Sequence, residues 1–285
     1  MTFCLILIWT KALTMNLGFI SCFSKVTDWI DANNTESFFA DGIRGMHQHP
    51  QSQDMIQHVM NQVQIQQISE KGNTDWFSEY DVNKDGAFDA LVFIHSGYAA
   101  EAAATDACDG TTRENRIQSK GLASSPSTGS WISEESFLGE TIYVSSYAIS
   151  SAFEDSVCGS PYIPMESLAR VYSNQFGVPD LFDSSMAPQI GGIGLFGLMA
   201  AGHGLSFPSS LSPCAKVRIG WGVITDVSSD GSYYATDSSS SGDIYRITHG
   251  YPAGEYLLIE NRQKSALDNH LPDSGILTEL NSWTC

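Results

Sequence analysis

Basic residues are scarce in this sequence. Lysine and arginine number 14 against 32 aspartates and glutamates, and the formal net charge is -18 over 285 residues. A surface with this charge repels a phosphate backbone, so we expect no nucleic-acid binding. The same charge suits a soluble protein that binds cations such as Ca²⁺. Hydrophobic residues nevertheless make up 42% of the chain, which is enough for a folded core.

Closely spaced cysteine pairs are also missing. No Cys-x-x-Cys sequence occurs, which excludes a zinc ribbon and a dithiol redox motif. The cysteines stand at scattered positions: Cys4, Cys22, Cys108, Cys158, Cys214 and Cys285. Those that follow residue 25 permit two disulfides in an oxidising compartment, and the alternative is a set of free thiols.

Long apolar runs are absent. No segment has about 18 uninterrupted apolar residues, so we expect no stable membrane span. The apolar start of the chain is interrupted by Lys11 and lacks the basic first residues and small-residue cleavage site of a typical signal peptide. We therefore interpret residues 1–25 as a leader or a poorly defined N-terminus, and residues 26–285 as one domain.

The spacing of apolar residues predicts two helices and three strands. Helices are expected over 54–68 and 164–176, because apolar residues recur there every three or four positions. The run 90–94 is typical of a buried strand, and 141–149 and 256–259 are the other strands. The helix over 164–176 has the clearest apolar stripe, formed by Met165, Leu168, Ala169, Tyr172 and Phe176.

An acidic loop, DVNKDGAFD, precedes the buried strand. It offers oxygen ligands at alternate positions, namely Asp81, Asn83, Asp85, Ala87 through its carbonyl, and Asp89. Gly86 permits the sharp turn that a calcium loop requires. The twelfth position is Val92 and not a bidentate glutamate, so a calcium site here needs a carboxylate from elsewhere. The alternative is an Asx-rich turn that binds no metal.

The segment 163–183, IPMESLARVYSNQFGVPDLFD, resembles the active-site region of the secreted zinc metallopeptidases of the immune inhibitor A family. That family carries H-E-x-x-H-x-x-G-x-x-D, followed by leucine, an aromatic residue and aspartate. Gly177 and Asp180 match the motif without a gap. Counting back from Gly177 places Arg170 at the first histidine, Val171 at the glutamate and Asn174 at the second histidine.

These replacements remove the chemistry of the motif. Histidines at i and i+4 hold Zn²⁺ on one face of a helix, and the glutamate takes a proton from the metal-bound water. Arg170 has no lone pair to offer, and Val171 cannot act as a base. Of the three protein ligands only Asp180 remains, as a vestigial third zinc ligand. We therefore expect zinc, which the resemblance implies, not to be bound here.

Two alternatives remain open at this site. Arg170 stands four residues after Glu166 and is expected to pair with Glu166 and Asp180, or else to point to solvent. A metal site rebuilt from other histidines would make the chain an active zinc endopeptidase with a non-standard site. The histidines available for it are His47, His49, His58, His95, His203, His249 and His270.

The resemblance extends along residues 23–276. The family's Ile-His-Ser-Gly segment and following glutamate correspond to residues 94–97 and Glu101, and GIGLFGLMAAG resembles its Met-turn, with Met199 below the metal. LSPCAKVRIGW and GEYLLIENRQ also match. After Gly275 the family's Ile-Trp-His-Ile-Asp stretch is missing, which implies a C-terminally truncated domain or an imperfect gene model.

The resemblance implies an α+β zincin-like metallopeptidase fold, with a mixed twisted sheet, an active-site helix and a Met-turn lobe. It also implies secretion, structural calcium and protein hydrolysis. Because the motif is degenerate, we expect a catalytically inactive pseudopeptidase that binds peptides or protein partners. The alternatives are an active secreted zinc endopeptidase and a gene product without function.

Overall fold

The computed structural model describes residues 3–9, 24–45, 50–72, 75–101, 104–123, 130–134, 139–153, 165–181, 192–200 and 208–282. The chain divides into two compact units, Met1–Pro164 and Met165–Cys285. Both helices and strands occur in each unit, so the protein has the α+β composition that the sequence predicts. Among the helices in the described ranges, none combines the length and the apolar composition of a membrane span.

The first unit is built on a mixed sheet. Its strands are β1 (Phe3–Trp9), β2 (Ser24–Val26), β3 (Ile30–Asp31), β4 (Ala90–Tyr98), β5 (Lys120–Ala123) and β6 (Ser146–Phe153), and its helices are α1 (Glu36–Ala40) and α2 (Pro50–Lys71). The strand order is β2-β1-β4-β6-β5, and β3 also pairs with β1. Only the β4–β6 pair is parallel among the pairings described in this sheet.

Helix α2 confirms the predicted helix over 54–68. It begins earlier, at Pro50, because proline fits the first turn of a helix, where its missing N–H is not needed. Its buried residues recur at helical spacing and belong to the core of the unit: Met55, Ile56, Val59, Met60 and Val63. An aromatic cluster of Phe77, Phe88 and Trp131 lies in the same core.

The predicted buried strand over 90–94 is confirmed as part of β4. Its first six residues are buried, as expected for a strand with a partner on each side. The strand predicted over 141–149 is displaced, because β6 begins only at Ser146. The residues before it pair elsewhere: the Tyr143 N–H donates to Gly86 O at 2.8 Å, and the Phe88 N–H donates to Tyr143 O at 3.1 Å.

Part of the segment interpreted as a leader is a strand in the structure. β1 pairs antiparallel with β4 from Cys4 opposite His95 to Trp9 opposite Ala90, and it pairs with β2 on its other side. An apolar run of this length has no clear periodicity, so the pattern alone does not distinguish a strand from the hydrophobic part of a leader. The backbone of residues 3–9 is therefore part of the sheet.

A buried arginine joins α1 to the segment between β4 and β5. Arg116 Nη1 donates to Glu36 Oε2 at 2.6 Å, and Nη2 donates to Asp106 Oδ2 at 2.6 Å and to Asp109 Oδ2 at 2.9 Å. The Ile117 N–H donates to the other oxygen of Glu36 at 3.0 Å. Burial of Glu36 and Asp106 is tolerated because Arg116 neutralises part of their charge.

Gly97 allows this arrangement. A Cβ atom at this position would clash with Glu36 Oε2 and lie 2.5 Å from its carboxyl carbon. A side chain at this position would therefore displace the Glu36 carboxylate from Arg116 and from the Ile117 N–H. This gives a packing reason for the glycine in the Ile-His-Ser-Gly segment.

The second unit has its own sheet and three helices among its described residues. They are α3 (Met165–Gln175), α4 (Pro213–Arg218), β7 (Val223–Asp226), α5 (Ser238–Ser241), β8 (Asp243–Ile247), β9 (Glu255–Arg262) and β10 (Gly275–Ser282). The sheet order is β10-β9-β8-β7, with β7 and β8 parallel and the other pairs antiparallel. The helix predicted over 164–176 and the strand predicted over 256–259 are confirmed as α3 and β9.

Buried charges also occupy the interior of the second unit. Arg262 donates to Asp268 Oδ1 at 2.6 Å and to Glu260 Oε1 at 3.0 Å, and Lys216 Nζ donates to Glu260 Oε2 at 2.7 Å. Burial alone would raise the pKa of Asp268, but hydrogen bonds from Arg262 and the Ser210 N–H lower that pKa below its ordinary value. Glu260 and Asp268 therefore each have a cation beside them.

Replacing Arg116 with methionine should destabilise the first unit strongly. Glu36 and Asp106, both nearly buried, would lose their only described cation, and breaking a buried ion pair in this way costs about 3–5 kcal/mol. Urea unfolding measures the change in the free energy of unfolding. Arg113→Met is the matched control, because Arg113 and its partner Glu114 are both half exposed. Equal effects of the two substitutions would contradict the prediction.

Candidate functional site

Helix α3 ends at a left-handed glycine. Gly177 has φ of +77°, which favours glycine because it has no Cβ. Its N–H donates to Asn174 O at 2.9 Å, and the Val178 N–H donates to Ser173 O at 3.4 Å. This closing turn reverses the chain, as is usual at a helix C-terminus. It brings Asp180 back towards the helix from which it emerged.

Arg170 and Asp180 form an ion pair. Arg170 Nη1 donates to Asp180 Oδ1 at 3.0 Å and to Oδ2 at 3.2 Å. The Arg170 side chain is 8% exposed and that of Asp180 is 35% exposed. The predicted contact with Asp180 is therefore confirmed, and the alternative that Arg170 points to solvent is wrong. The predicted contact with Glu166 involves a side chain outside the described residues.

The other two replaced motif positions have structural partners. Val171 is fully buried. The Asn174 side-chain amide donates to Val178 O at 2.9 Å and so helps to close the turn after the helix. A carboxamide is also not among the usual ligands of zinc in proteins. These positions therefore contribute packing and a helix end in the described structure.

Met199 lies directly beside the segment that follows Asp180. The Leu181 N–H donates to Met199 O at 2.7 Å. The Met199 side chain is fully buried in a cluster with Val178, Leu198, Leu211 and Ala215. The structure thus brings the predicted Met-turn residue next to the predicted third-ligand segment. That Met199 lies below a metal stays a prediction.

The donor set at the motif does not fit Zn²⁺. It consists of a guanidinium, an aliphatic side chain, a donating amide and one carboxylate that already accepts from Arg170. Catalytic zinc in proteins needs three protein ligands from nitrogen, sulfur or carboxylate oxygen. Across the described ranges, no group of three or more His, Cys, Asp or Glu side chains is placed to hold a metal ion.

The histidines that could rebuild a metal site are only partly described. His47, His49 and His203 lie outside the described residues. His58 Nε2 lies 3.1 Å from Asp31 O. His95 is buried, while His249 and His270 are exposed. None of the four described histidines belongs to a group of three or more side chains that could hold a metal ion within the described ranges.

His95 and Glu101, the residues of the Ile-His-Ser-Gly resemblance, lie in the first unit. The Gly97 N–H donates to His95 Nδ1 at 3.2 Å, and this nitrogen lies 3.5 Å from Glu36 Oε1. Burial lowers the pKa of His95, against the opposing effects of Glu36 and Glu101. Glu101 accepts from the Ser119 N–H at 3.2 Å. The segment therefore belongs to the buried network around Glu36, which the sequence did not predict.

The acidic loop is folded around its own carboxylates. Asp81 Oδ1 accepts from the Asp85 N–H at 3.0 Å, and Oδ2 accepts from the Gly86 N–H at 2.9 Å. Asp89 Oδ2 accepts from the Val82 N–H at 3.1 Å. Gly86 has φ of +83°, as the predicted sharp turn requires. These bonds are common to Asx-rich turns and to cation loops, so the calcium site stays a prediction.

The other predicted ligands, Asn83, Asp85 and Ala87, are hydrogen-bonded to one another within the same loop. Asn83 Oδ1 accepts from the Asp85 N–H at 3.0 Å, and the Ala87 N–H donates to Asp85 Oδ1 at 3.0 Å. A surface cavity of about 620 Å³ lies beside the loop, and Asp81, Asp85 and Glu140 are among its lining residues. Glu140 is far from the loop in sequence, and no local pattern could have identified it.

Cys108 and Cys214 are each disulfide-bonded. The alternative of free thiols is therefore wrong for these two cysteines. The Cys108 sulfur lies 3.4 Å from the Tyr98 hydroxyl, at the end of β4. Disulfides form and persist in oxidising compartments, which agrees with the expectation from the sequence.

Removing Arg170 should destabilise the chain by a smaller amount than removing Arg116. Arg170→Met deletes a charge-assisted contact, for which about 1.5–3 kcal/mol is typical, but Asp180 is partly exposed and regains water. A double-mutant cycle with Asp180→Asn, read by urea unfolding, isolates the coupling between the two side chains. Unchanged stability of Arg170→Met, or a coupling of zero, would contradict a structural role for the pair.

Comparison with known proteins supports the resemblance. The model of the family described as "Immune inhibitor A peptidase M6, catalytic domain" matches residues 18–214, which is more than half of the chain. The match contains helix α3, Asp180 and Met199 and ends at Cys214, before β7–β10. No curated protein matches the chain. Given this match and the motif positions around Gly177 and Asp180, the chain belongs to the immune inhibitor A peptidase family.

Proposed function

We propose that this chain is a pseudopeptidase with a zincin-like fold, in which the Arg170–Asp180 ion pair stands where the family holds its catalytic zinc. The pair is the observation that carries the proposal. The guanidinium supplies a permanent positive charge beside the retained carboxylate. It therefore removes the need for a metal to neutralise Asp180.

The loss of the catalytic base supports the same conclusion independently. Hydrolysis in the intact motif needs a glutamate that takes a proton from metal-bound water. Val171 stands at that position, and it is fully buried and apolar. Even a metal bound nearby would meet no carboxylate on this turn of α3. An active enzyme would need both new ligands and a new base.

The ligands proposed for this protein are peptides or protein segments. A family that hydrolyses proteins binds extended chains before it cleaves them, and binding does not depend on the zinc alone. The net charge of -18 favours partners with cationic side chains, through long-range attraction. The binding half of the proposal rests on family membership together with this charge.

Secretion is part of the proposal. The disulfide-bonded state of Cys108 and Cys214 agrees with an oxidising compartment. The immune inhibitor A family consists of secreted peptidases, and the chain belongs to it.

Calcium in the acidic loop is a further part of the proposal. Hard oxygen ligands suit Ca²⁺, and Asp81, Asn83, Asp85 and Asp89 would hold it together with the Ala87 carbonyl. Glu140 lines the same cavity as Asp81 and Asp85, so it is a candidate for the bidentate carboxylate that Val92 does not provide. Bound calcium would stabilise the turn before β4 and supply no catalytic chemistry.

A lysine-rich peptide and casein test the two halves of the proposed function. We expect the purified protein to bind the lysine-rich peptide, measured by biolayer interferometry, and to leave casein uncleaved with or without EDTA. The triple variant Arg170→His, Val171→Glu, Asn174→His restores the three residues of the H-E-x-x-H motif. Its zinc uptake is the matched comparison for the zinc uptake of the wild type. Cleavage by the wild type that EDTA abolishes would support the active-enzyme alternative. Absence of both binding and cleavage would reject the binding half.

Calcium should raise the melting temperature if the loop holds it. A ligand that binds only the folded state at one hundred times its dissociation constant adds about 2.7 kcal/mol of stability. The effect should disappear in Asp81→Asn and remain in Asp273→Asn, where the changed carboxylate lies outside the loop and is exposed. Melting curves with CaCl₂ and with MgCl₂ at equal ionic strength measure it. Equal calcium responses of the two variants would reject the site.

A further inference from the structure

One segment contains a sequence pattern for glycan attachment that the proposed function does not involve. The sequence contains a single Asn-x-Ser/Thr triplet, Asn33-Asn34-Thr35. This triplet is the acceptor for N-linked glycans when the middle residue is not proline and the segment lies on the surface of a secreted protein. The triplet lies between β3 and α1.

The structure presents the triplet on an exposed turn. Asn33 is exposed and has φ of 64°, a left-handed conformation that asparagine tolerates better than most residues. The Asn33 N–H donates to Asp31 Oδ1 at 3.0 Å. Ile30 and Ala32, directly before the triplet, are buried. The chain on this side is fixed to the core while the Asn33 side chain faces solvent.

Thr35 has a structural role as well. Its hydroxyl oxygen accepts from the Phe38 N–H at 3.2 Å and caps α1, the helix that carries Glu36 into the buried contact with Arg116. A threonine here is therefore explained by capping alone. The cap does not involve the Asn33 side chain, and aspartate also caps helices. The two roles of Thr35 are therefore separable by substitution.

We propose that Asn33 is the attachment site of an N-linked glycan. This inference rests on the secretion that is part of the proposed function, and the disulfide-bonded Cys108 and Cys214 agree with that compartment. It does not depend on whether the chain is a peptidase. The folded turn leaves the Asn33 side chain open to solvent, so a bulky glycan attached before folding would not disturb the core.

The transfer uses a lipid pyrophosphate-linked oligosaccharide as donor and a membrane-bound oligosaccharyltransferase as catalyst. Asn33 Nδ2 forms a bond to C1 of the first sugar, and the bond from C1 to the pyrophosphate oxygen breaks. The lipid pyrophosphate leaves with that electron pair, and the amide nitrogen loses one proton. Nothing is oxidised or reduced.

The full chain with a secretion signal added before Met1, expressed in a eukaryotic cell line, tests the proposal. We expect peptide N-glycosidase F to increase its electrophoretic mobility and to convert Asn33 to aspartate, a change that mass spectrometry detects. Asn33→Gln and Thr35→Asp should abolish the shift, although Thr35→Asp keeps the helix cap. Thr35→Ser keeps both the triplet and the cap, so the shift should remain.

Secreted and cell-associated chains are both analysed, so that a variant that is not exported still reports its glycan. Wild-type chain from the lumen that shows no shift would overturn the proposal, and so would a shift that survives Asn33→Gln. Neither result bears on casein cleavage. A failure of the proposed peptidase-related function is therefore distinguishable from a failure of the glycan site.

Discussion

The contact between Arg170 and Asp180 is the interaction on which the account of this protein depends. It exists because Gly177 ends α3 in a left-handed conformation and returns the chain to the helix. In the family motif the same turn delivers a third ligand to zinc. Here it delivers a carboxylate to a guanidinium, which bonds to both oxygens. In the function proposed above, this charge of the chain itself takes the place of the zinc ion.

The same use of arginine recurs inside both units. Arg116 neutralises Glu36 and Asp106 in the first unit, and Arg262 neutralises Glu260 and Asp268 in the second. With only 14 basic residues in the chain, several of them lie in the interior beside carboxylates. These interior pairs contain about as many carboxylates as cations, so the net negative charge of the chain remains at its surface, where it favours cationic partners.

Local patterns predicted the helix that carries the degenerate motif, because both the apolar spacing that forms the helix and the glycine that ends it are local features of the sequence. They also predicted that Arg170 reaches Asp180, since the two are linked by one turn. They did not predict β1, because a short apolar run has no decisive period. They missed the Glu36–Arg116 contact and the position of Glu140 in the wall of the cavity beside the acidic loop, because both bring together residues that are far apart in sequence. Such contacts depend on the sheet topology, which apolar spacing does not specify.

The zinc content of the purified protein tests the central claim most directly. Protein produced in zinc-supplemented medium, dialysed without chelator and analysed by mass spectrometry of its metals, should contain far less than one zinc per chain. Asp180→Ala should contain the same low amount, because the Asp180 carboxylate is bonded to Arg170 and is not expected to hold zinc. One zinc per wild-type chain that is lost in Asp180→Ala would contradict the account.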